Sequence, residues 1–422
     1  MKTLRIGLCG TGNVGYAFAE TIIKSNPLIK KNYGIDVSLS MIGARKGKVP
    51  GLETIPVTKD IQEVPLSDDV DVVVELIGGI DDAYELAKST FNNKKHFVTA
   101  NKALIATHSK ELFELAKQNS VHFGFEASVA GGIPIIRIIR DGLMSNKINS
   151  FAGILNGTSN FIFSKMADEG LPFETALSLA QKEGFAEPDP TFDISGQDAA
   201  QKTSILATLS FFKHAVIENI YFEGIDKVTP QDINFGKQLE LILKPLSVGQ
   251  LSENKITLGS FPAFVKEKSL LASIENESNA VLMNAENVGE TMYAGPGAGA
   301  KPTANSVLSD IIDIATGKIF DYQKFVESPL ASSFENFSCD HYLRFIVSDE
   351  PGVVAKISTV LAANNLSIDN LIQNELDRED DAIPLVIVIS NSKEKIMQNT
   401  ISDLQKLPEV KNSISHIRIL DI

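Results

Sequence analysis

Cysteine is scarce and tryptophan is absent: the 422 residues include only two cysteines, Cys9 and Cys339, which are 330 positions apart. The two cysteines form no metal-spaced cluster, and such usage is typical of a reducing compartment. The six histidines show no HExxH-like spacing, which disfavours a zinc hydrolase. The longest charge-free stretch, residues 148–164, contains three asparagines and is too polar for a membrane span.

Basic residues are in the minority. The 39 Lys and Arg against 53 Asp and Glu give a net charge of −14, so we expect neither nucleic acid nor a membrane as a partner. The chain starts directly on a predicted strand without an apolar leader, which favours a cytoplasmic location. An anionic cofactor would need a local site built to receive it.

The composition, 43% hydrophobic and 22% charged, is that of a globular protein, and its length suggests about two to three domains. The first 125 residues alternate short apolar runs with amphipathic stretches, which predicts an α/β fold with a doubly wound parallel sheet. Strands are expected at 4–9, 37–42, 70–74, 97–99 and 121–123, and helices at 14–24 and 110–118.

The rest of the chain changes character twice. Residues 131–300 mix helical and strand-like segments, which favours an α+β domain, and residues 321–340 are irregular enough to predict a linker. Residues 341–422 have the order βαββαβ of the split-βαβ, ferredoxin-like sandwich. Its strands are expected at 342–347, 368–374, 384–389 and 414–420, and its helices at 353–361 and 394–407.

A glycine motif follows the first predicted strand and opens the first helix. In such a motif the first glycine permits a tight turn, the second lets the backbone approach a pyrophosphate, and the third lets helix and strand pack closely. The helix start then offers amide groups and a positive dipole to the phosphates. Strand, motif, helix and second strand occur in order here, so the sequence predicts a dinucleotide site that includes Gly10, Thr11, Gly12, Asn13, Val14 and Gly15.

The choice between NAD and NADP depends on the end of the second strand, where an acidic residue would hold a ribose 2′-hydroxyl. Asp36 lies before the predicted strand, too early for this role, whereas Arg45 and Lys46 follow it. We therefore expect NADP, with NAD possible, and Arg45 beside the 2′-phosphate. A solvated basic loop is the alternative interpretation.

Two lysines are candidates for the chemistry. Lys102 follows the fourth predicted strand, and ligands of open parallel sheets lie beyond the carboxyl ends of strands; a solvated loop lysine is the alternative. Asp198 and Lys202 are four residues apart on a predicted helix, usually a weak surface pair. Because this helix is apolar nearly all round, burial of Lys202 would require a partner, which favours a functional lysine.

At these motifs the chain resembles the homoserine dehydrogenases, in their monofunctional form with a C-terminal ACT domain. The likeness covers about the first 330 residues in family order. It is carried by GTGNVG (10–15), VVVELIGG (72–79), VTANKALIA (98–106), FEASVAGGIPII (125–136), NGTSNFI (156–162), GFAEPDPTFDISGQDAAQK (184–202) and GPGAGAKPTA (295–304).

This resemblance implies NAD(P)-dependent, reversible reduction of L-aspartate 4-semialdehyde to L-homoserine, in threonine, methionine and isoleucine biosynthesis. It implies a nucleotide-binding Rossmann domain at 1–130, completed by about 300–320, and a catalytic and dimerisation domain at 131–300. By position, Lys202 matches the proton donor and Lys102 the second lysine near nicotinamide and substrate. The remaining matches are Glu187, Asp193 and Asp198 for substrate, with Asp198 also expected among the catalytic residues, Gly184 and Gly299 for the cofactor, and Glu126, Val129, Gly131 and Ile133 for a monovalent cation, expected to be sodium.

The run Asp349 to Val353 carries the resemblance of the last 80 residues to an ACT domain. Because such domains commonly bind amino acids, threonine is the expected effector, and a dimerisation module without a ligand is the alternative. The family implies a homodimer or a larger homo-oligomer. Two rival functions are a diaminopimelate-type dehydrogenase, which does not account for the 187–202 segment, and a non-catalytic amino-acid sensor, which the three motif glycines and both lysines disfavour.

Overall fold

A six-stranded parallel sheet forms the N-terminal part of the computed structural model, which describes residues 2–47, 49–252, 255–318, 330–331, 333–374 and 382–422. The chain divides into two units: residues 1–149, 201–218 and 279–329 form the first, and residues 150–200, 219–278 and 330–422 form the second. Within the described residues, no helix is both long and apolar enough to cross a membrane.

The strands of the parallel sheet are Lys2–Cys9 (β1), Ile35–Gly43 (β2), Val57–Thr58 (β3), Val72–Glu75 (β4), His96–Thr99 (β5) and Phe123–Gly124 (β6). Their order in the sheet is β3-β2-β1-β4-β5-β6, which is the doubly wound dinucleotide-binding order. The central strands are buried on both faces, as the run Val72-Val73-Val74 shows with no exposed side chain.

Helices cover this sheet and complete the core of the first unit. They are Asn13–Tyr33 (α1), Asp81–Asn92 (α2), Lys102–Gln118 (α3) and the short turn Ile135–Arg137 (α4), which a π-helical turn at Ile138–Gly142 continues. Val307 and Ile311 of the later helix Ala300–Thr316 pack in the same apolar core as Phe18 of α1. A segment far along the chain therefore contributes to the core of the N-terminal fold.

The next part of the chain supplies the helices and strands of both units. The strand Ile148–Ile154 (β7) is followed by Gly157–Glu169 (α5), Phe173–Glu183 (α6), Thr191–Ile194 (α7), Gln197–Phe211 (α8), Tyr221–Phe222 (β8), Pro230–Gln238 (α9), Leu241–Ser252 (β9) and Lys255–Lys266 (β10). Ser278–Ala285 (β11) and Gly289–Pro296 (β12) pair with each other, and the helix at Ala300–Thr316 is α10.

The last 80 residues form the predicted βαββαβ unit. After Leu330–Ala331 (β13) it comprises Ser338–Ser348 (β14), Val353–Ala363 (α11), Ile368–Gln373 (β15), Ala382–Lys393 (β16), Glu394–Leu404 (α12) and Ser415–Leu420 (β17). Leu343, Phe345 and Ile387 pack against Ile357 and Met397 of the two helices. The α/β class, the doubly wound sheet and the ferredoxin-like module are all confirmed.

Within the second unit, strand β17 connects the strands of the C-terminal module to the sheet that contains β10. The sequence predicts these as parts of separate domains. Strand β17 pairs antiparallel with β14 and parallel with β10, where Ala263, Phe264 and Val265 face residues 418–420. The sheet therefore continues without interruption in the order β7-β9-β10-β17-β14-β16-β15.

Several predicted boundaries are wrong. Helix α1 continues through Pro27 to Tyr33, α3 begins eight residues early at Lys102, and α12 ends at Leu404. Asp36 lies inside β2 rather than before it. The predicted linker lies partly outside the described residues; in the described part, residues 330–331 form β13 and β14 begins at Ser338.

Candidate active site

The glycine turn between β1 and α1 has the shape that a dinucleotide needs. Gly10 has a φ of +100°, and a Cβ there would lie 2.4 Å from the Leu76 carbonyl oxygen, so only glycine fits. A Cβ at Gly15 would lie 2.1 Å from the carbonyl oxygen of Gly10, because helix and turn are in close contact. At Gly12 a Cβ would meet nothing within 4 Å, which leaves open space over the helix start. These residues therefore fit a bound pyrophosphate.

The second predicted cofactor position follows β2. Arg45 and Lys46 are exposed in the turn that the Gly47 amide closes by donating to the Ala44 carbonyl. Asp36 lies at the opposite end of β2 and is paired with Lys30 at 2.9 Å, so it remains remote from the carboxyl end of the strand. The charged side chains that follow this carboxyl end, Arg45 and Lys46, are both cationic.

A buried carboxylate organises the loops that follow β4 and β5. Glu75 accepts hydrogen bonds from the amides of Ile77 at 2.7 Å and Gly78 at 3.1 Å, and from the Thr99 hydroxyl at 2.5 Å. Burial raises the pKa of Glu75, and these three donors oppose that shift. One side chain thus fixes both loops at the carboxyl ends of adjacent strands.

Asn101 extends this network to the start of α3. Its backbone amide donates to the Thr99 hydroxyl at 2.9 Å, and its side-chain amide donates to the Gly79 carbonyl at 2.5 Å. Its side-chain oxygen caps α3 by accepting from the Leu104 amide. The first residue of the capped helix is Lys102, which is half-buried.

The two predicted lysines belong to helices that pack together in the first unit. Ile105 of α3 and Ile205 of α8 line one small cavity, together with Ser109, Phe113, Phe125, Ser204, Thr208 and Leu209. Lys102 and Lys202 each precede their isoleucine by three residues, one helical turn, and therefore share its face. Lys202 is half-buried, like Lys102. The structure thus brings the two lysine-bearing helix faces together.

In the second unit a single amide holds two of the predicted substrate carboxylates. Asn156 donates through Nδ2 to Asp193 Oδ1 and to Asp198 Oδ2, both at 2.8 Å. Its Oδ1 accepts from the Ser159 amide at 2.8 Å and so caps α5. Asp198 is 3% exposed. Two carboxylates that share an amide donor place negative charge at this point, which suits a ligand that carries an ammonium group.

Two further predicted residues of this unit lie around the end of α6. Gly184 ends that helix in a left-handed conformation with a φ of +81°, and a Cβ there would meet open space. Glu187 is exposed, and its backbone carbonyl accepts from the Gln181 side-chain amide. The Glu187 side chain is therefore accessible to a ligand.

The predicted cation loop lies in the first unit and is tightly wound. Ala130 and Gly131 have φ values of +54° and +44°, and Ser306 donates to the Gly131 carbonyl at 2.7 Å. The Glu126 carboxylate instead accepts from the amides of Ile136 and Arg137, both at 2.9 Å. Because its side chain caps α4, Glu126 is available to an ion chiefly through its backbone carbonyl.

Burial and a neighbouring carboxyl group both raise the pKa of the Glu126 side chain. The Asp310 carboxylate accepts from the Glu126 amide at 2.9 Å, and both side chains are buried. Burial first, and the Asp310 charge second, raise the pKa of Glu126 to about 8. Gly299, the remaining predicted cofactor residue, starts α10 with a φ of +108°, a conformation that favours glycine.

Sequence reasoning missed two residues of this arrangement, Asn156 and Glu75. Asn156 had a local signal, because an asparagine between a strand and a helix is a typical N-cap. Its contacts with residues 193 and 198, about 40 positions away, had no such signal. Glu75 ends a valine run, and only the fold shows that a neighbouring strand and two loops satisfy its carboxylate.

Comparison with known proteins gives matches that cover nearly the whole chain. Residues 134–312 match the family described as "Homoserine dehydrogenase", residues 10–126 match "Homoserine dehydrogenase, NAD binding domain", and residues 341–409 match "ACT domain". The homoserine dehydrogenase of Pseudomonas aeruginosa is 38% identical over 431 residues, covering 99% of each chain. That of Bacillus subtilis is 37% identical and covers 98% of each chain.

Solved structures show the same relationship. The crystal structure of a homoserine dehydrogenase from Thiobacillus denitrificans matches with a TM-score of 0.93 and 35% identity, covering 100% of this chain and 99% of that chain. A hyperthermophilic archaeal homoserine dehydrogenase in complex with NADPH matches with a TM-score of 0.64 and 26% identity, covering 75% of this chain and 98% of that chain. With its NAD-binding domain and its ACT domain, the chain is an oxidoreductase that belongs to the homoserine dehydrogenase family.

Proposed function

We propose that this homoserine dehydrogenase catalyses the reversible, NADPH-linked reduction of L-aspartate 4-semialdehyde to L-homoserine, on the route to threonine, methionine and isoleucine. The observation that carries the proposal is the pair of carboxylates, Asp193 and Asp198, that both accept hydrogen bonds from the side-chain amide of Asn156. The substrate is an amino acid with an ammonium group, and its ammonium would bind to these carboxylates and to Glu187. Such binding would orient the aldehyde before the reaction.

The dinucleotide, when bound, supplies the hydride. The negative charge that develops on the carbonyl oxygen requires a proton donor within hydrogen-bond distance. Lys202 is our candidate for that donor. Lys102, at the capped start of α3, would stabilise the same charge and hold the nicotinamide end of the cofactor. Supporting observations are that both are half-buried and that their helix faces share one cavity.

The cofactor would lie over the turn at residues 10–15, with Gly299 and Gly184 as further contacts. We assign NADP preference to Arg45, because a planar guanidinium suits a phosphate and no acidic side chain follows β2 before Gly47. The NADPH complex of the archaeal relative supports the same choice.

We assign a monovalent cation, with sodium as the candidate, to the backbone carbonyls of Glu126, Val129, Gly131 and Ile133. The fit rests on the tight left-handed turn at residues 130–131, which bends the backbone of this loop. The ion would stiffen the loop without taking part in proton transfer. Activity in sodium, potassium and choline chloride at equal ionic strength tests this assignment.

The last module would regulate the enzyme in response to threonine, and we propose a homodimer or larger homo-oligomer in the cytoplasm. We also retain the division into a nucleotide-binding domain (1–130, with 300–320), a catalytic and dimerisation domain (131–300), a linker (321–340) and a regulatory domain (341–422). An ACT module without a ligand would give an enzyme that does not respond to threonine.

The decisive experiment follows NADPH oxidation at 340 nm with L-aspartate 4-semialdehyde, and homoserine oxidation in the reverse direction. We expect both reactions, with a high ratio of kcat/KM for NADPH to that for NADH. A matched set of other amino-acid aldehydes and keto acids separates this activity from that of a diaminopimelate-type dehydrogenase. No oxidation with the semialdehyde would refute the proposal.

A further inference from the structure

Two histidines and a carboxylate converge in the second unit where β14, β17 and α12 meet. His341 Nδ1 lies 2.9 Å from His416 Nε2. One ligand atom each of His341, His416 and Glu394 lie within 4.8 Å of one another. His341 and Glu394 are buried, and His416 is partly exposed. These three side chains, which we call the histidine cluster, belong neither to the candidate substrate and cofactor sites nor to the cation loop.

A backbone carbonyl fixes the orientation of the buried histidine. His341 Nε2 lies 3.1 Å from the Ser392 carbonyl oxygen, which can only accept, so this nitrogen carries the proton. Because burial disfavours the charged form of an imidazole, His341 is neutral and its Nδ1 keeps a lone pair directed at His416. Histidines that bind metals usually donate their other N–H to a carbonyl or a carboxylate in this way. His341 is therefore oriented as a metal ligand.

The carboxylate of the cluster retains room for a cation. Glu394 Oε1 accepts from Arg418 at 2.5 Å and from Gln398 at 2.8 Å, whereas Oε2 accepts from Arg418 at 3.0 Å. A carboxylate has about four acceptor positions, and these three bonds leave one of them on Oε2. Arg418 also pairs with Glu223 at 2.9 Å. Two carboxylates against one guanidinium leave a net negative charge, which a cation would offset.

The spacing and the access both suit a small metal ion. Ligand atoms 2.0–2.1 Å from a tetrahedral Zn²⁺ are about 3.3 Å apart. The two imidazole nitrogens, at 2.9 Å, are already close to this spacing, and the carboxylate would have to approach by about 1.5 Å at most. His416 and Gln398 line a cleft of about 1070 Å³, which gives an ion and its water a route to the cluster.

We propose that the histidine cluster binds one divalent transition-metal ion, with Zn²⁺ as the first candidate. Two imidazole nitrogens and one carboxylate oxygen suit Zn²⁺, whereas Mg²⁺ and Ca²⁺ prefer oxygen ligands alone. A water molecule from the cleft would complete the coordination. The ion would replace the proton between the two rings, and that proton would move to Nδ1 of His416, so that both imidazoles remain neutral.

The three ligands lie on different elements, which gives the ion a structural role. It would tie β14, β17 and α12 together, and β17 also pairs with β10 outside the C-terminal module. An unfolded chain does not hold these ligands in one place, so binding would favour the folded state. The ion would strengthen the attachment of the module to β10 and take no part in hydride transfer.

The test uses the full-length protein, freed of metal with a chelator and titrated with Zn²⁺ or Mg²⁺ in a calorimeter. His416→Gln keeps an amide that can donate to His341 Nδ1 but removes an imidazole ligand. His108→Gln is the matched control, because it removes a histidine that lies 3.6 Å from the Glu111 carboxylate on α3. Wild type and His108→Gln should bind one Zn²⁺ equally well, and His416→Gln about tenfold more weakly or worse. Zn²⁺ should also raise the urea midpoint of the first two proteins only.

Equal Zn²⁺ affinity in wild type and His416→Gln would overturn the site, as would wild-type binding of Zn²⁺ no tighter than that of Mg²⁺. If His416→Gln does not fold, anomalous scattering from wild-type crystals grown with Zn²⁺ decides the question. A peak between His341 and His416 would support the site, and peaks only elsewhere would overturn it. None of these measurements depends on dehydrogenase activity, so failure of the proposed function would leave their outcome unaffected.

Discussion

Asn156 offers the sharpest test of the candidate active site, because one side-chain amide serves two carboxylates. Asn156→Ser retains a residue that caps helices well, but a serine hydroxyl cannot replace two N–H groups that each reach a carboxylate at 2.8 Å. Without the amide, Asp193 and Asp198 lose the donor that they share, and the repulsion between the two like charges is less well offset. The substrate ammonium would then meet a less well oriented pair of charges.

The expected size of the effect on kcat/KM follows from the two hydrogen bonds that Asn156 donates to the carboxylates. A hydrogen bond to a charged group contributes about 1.5–3 kcal/mol. If the substrate complex loses one such contribution, about 2 kcal/mol, then kcat/KM for homoserine oxidation falls roughly 30-fold. Because the carboxylates would bind the substrate rather than transfer protons, most of the change should appear in KM. Steady-state kinetics at saturating NADP measures both parameters.

Asn160 provides the matched control. It lies one turn further along α5 and is fully buried, and its amide donates to the backbone carbonyls of Ile274, Asn276 and Ser278. Asn160→Ser should therefore lower the free energy of unfolding while changing kcat/KM by less than about threefold. If Asn156→Ser and Asn160→Ser had the same kcat/KM per folded molecule, the inferred role of the carboxylate pair would be refuted.

Three further predictions concern the chemistry, the cofactor and the pH dependence of folding. Lys202→Met should lower kcat about 100-fold or more at unchanged NADPH affinity; an unchanged kcat in stopped-flow turnover would exclude Lys202 as proton donor. Arg45→Ala should raise KM for NADPH about tenfold and leave KM for NADH unchanged, and parallel changes in both would contradict the 2′-phosphate contact. Burial lowers the pKa of His122 from its ordinary 6.5 to about 4. Because the unfolded chain binds a proton that the folded His122 does not, the contribution of His122 to stability should fall by about 3 kcal/mol as the pH drops from 6.5 to about 4. Urea unfolding should show His122→Phe losing this dependence and His108→Phe, at a partly exposed site, keeping it.

The strand pattern and the glycine turn were predictable because each depends on neighbours in sequence. Hydrophobic runs and the spacing of residues 10–15 identified the doubly wound sheet, and the βαββαβ order identified the last module. The full length of α1 was not predictable, since Pro27 locally disfavours a helix and burial of Ile22 and Ile29 overcomes that preference. The start of α3 was missed although Asn101 is a typical cap.

The features of the candidate site that could not be predicted from the sequence depend on contacts between segments that are distant along the chain. The hydrogen bonds from Asn156 to the two aspartates form only because of the way in which α5, α7 and α8 pack. The raised pKa of Glu126 depends first on its burial and then on Asp310, which is 184 positions away. The pairing of β10 with β17 joins residues 263–265 to 418–420, and no periodicity within either strand specifies that partner.

The shared strand β17 makes the C-terminal module inseparable from the body it adjoins. A chain shortened before β14 would leave residues 263–265 of β10 with a row of unsatisfied backbone groups, and Phe264 and Val265 there are fully buried in the intact protein. An exposed, apolar edge strand of this kind is a template for pairing with other chains. Truncation would therefore produce aggregates rather than a deregulated enzyme, and single substitutions are the sounder way to dissect the role of this module.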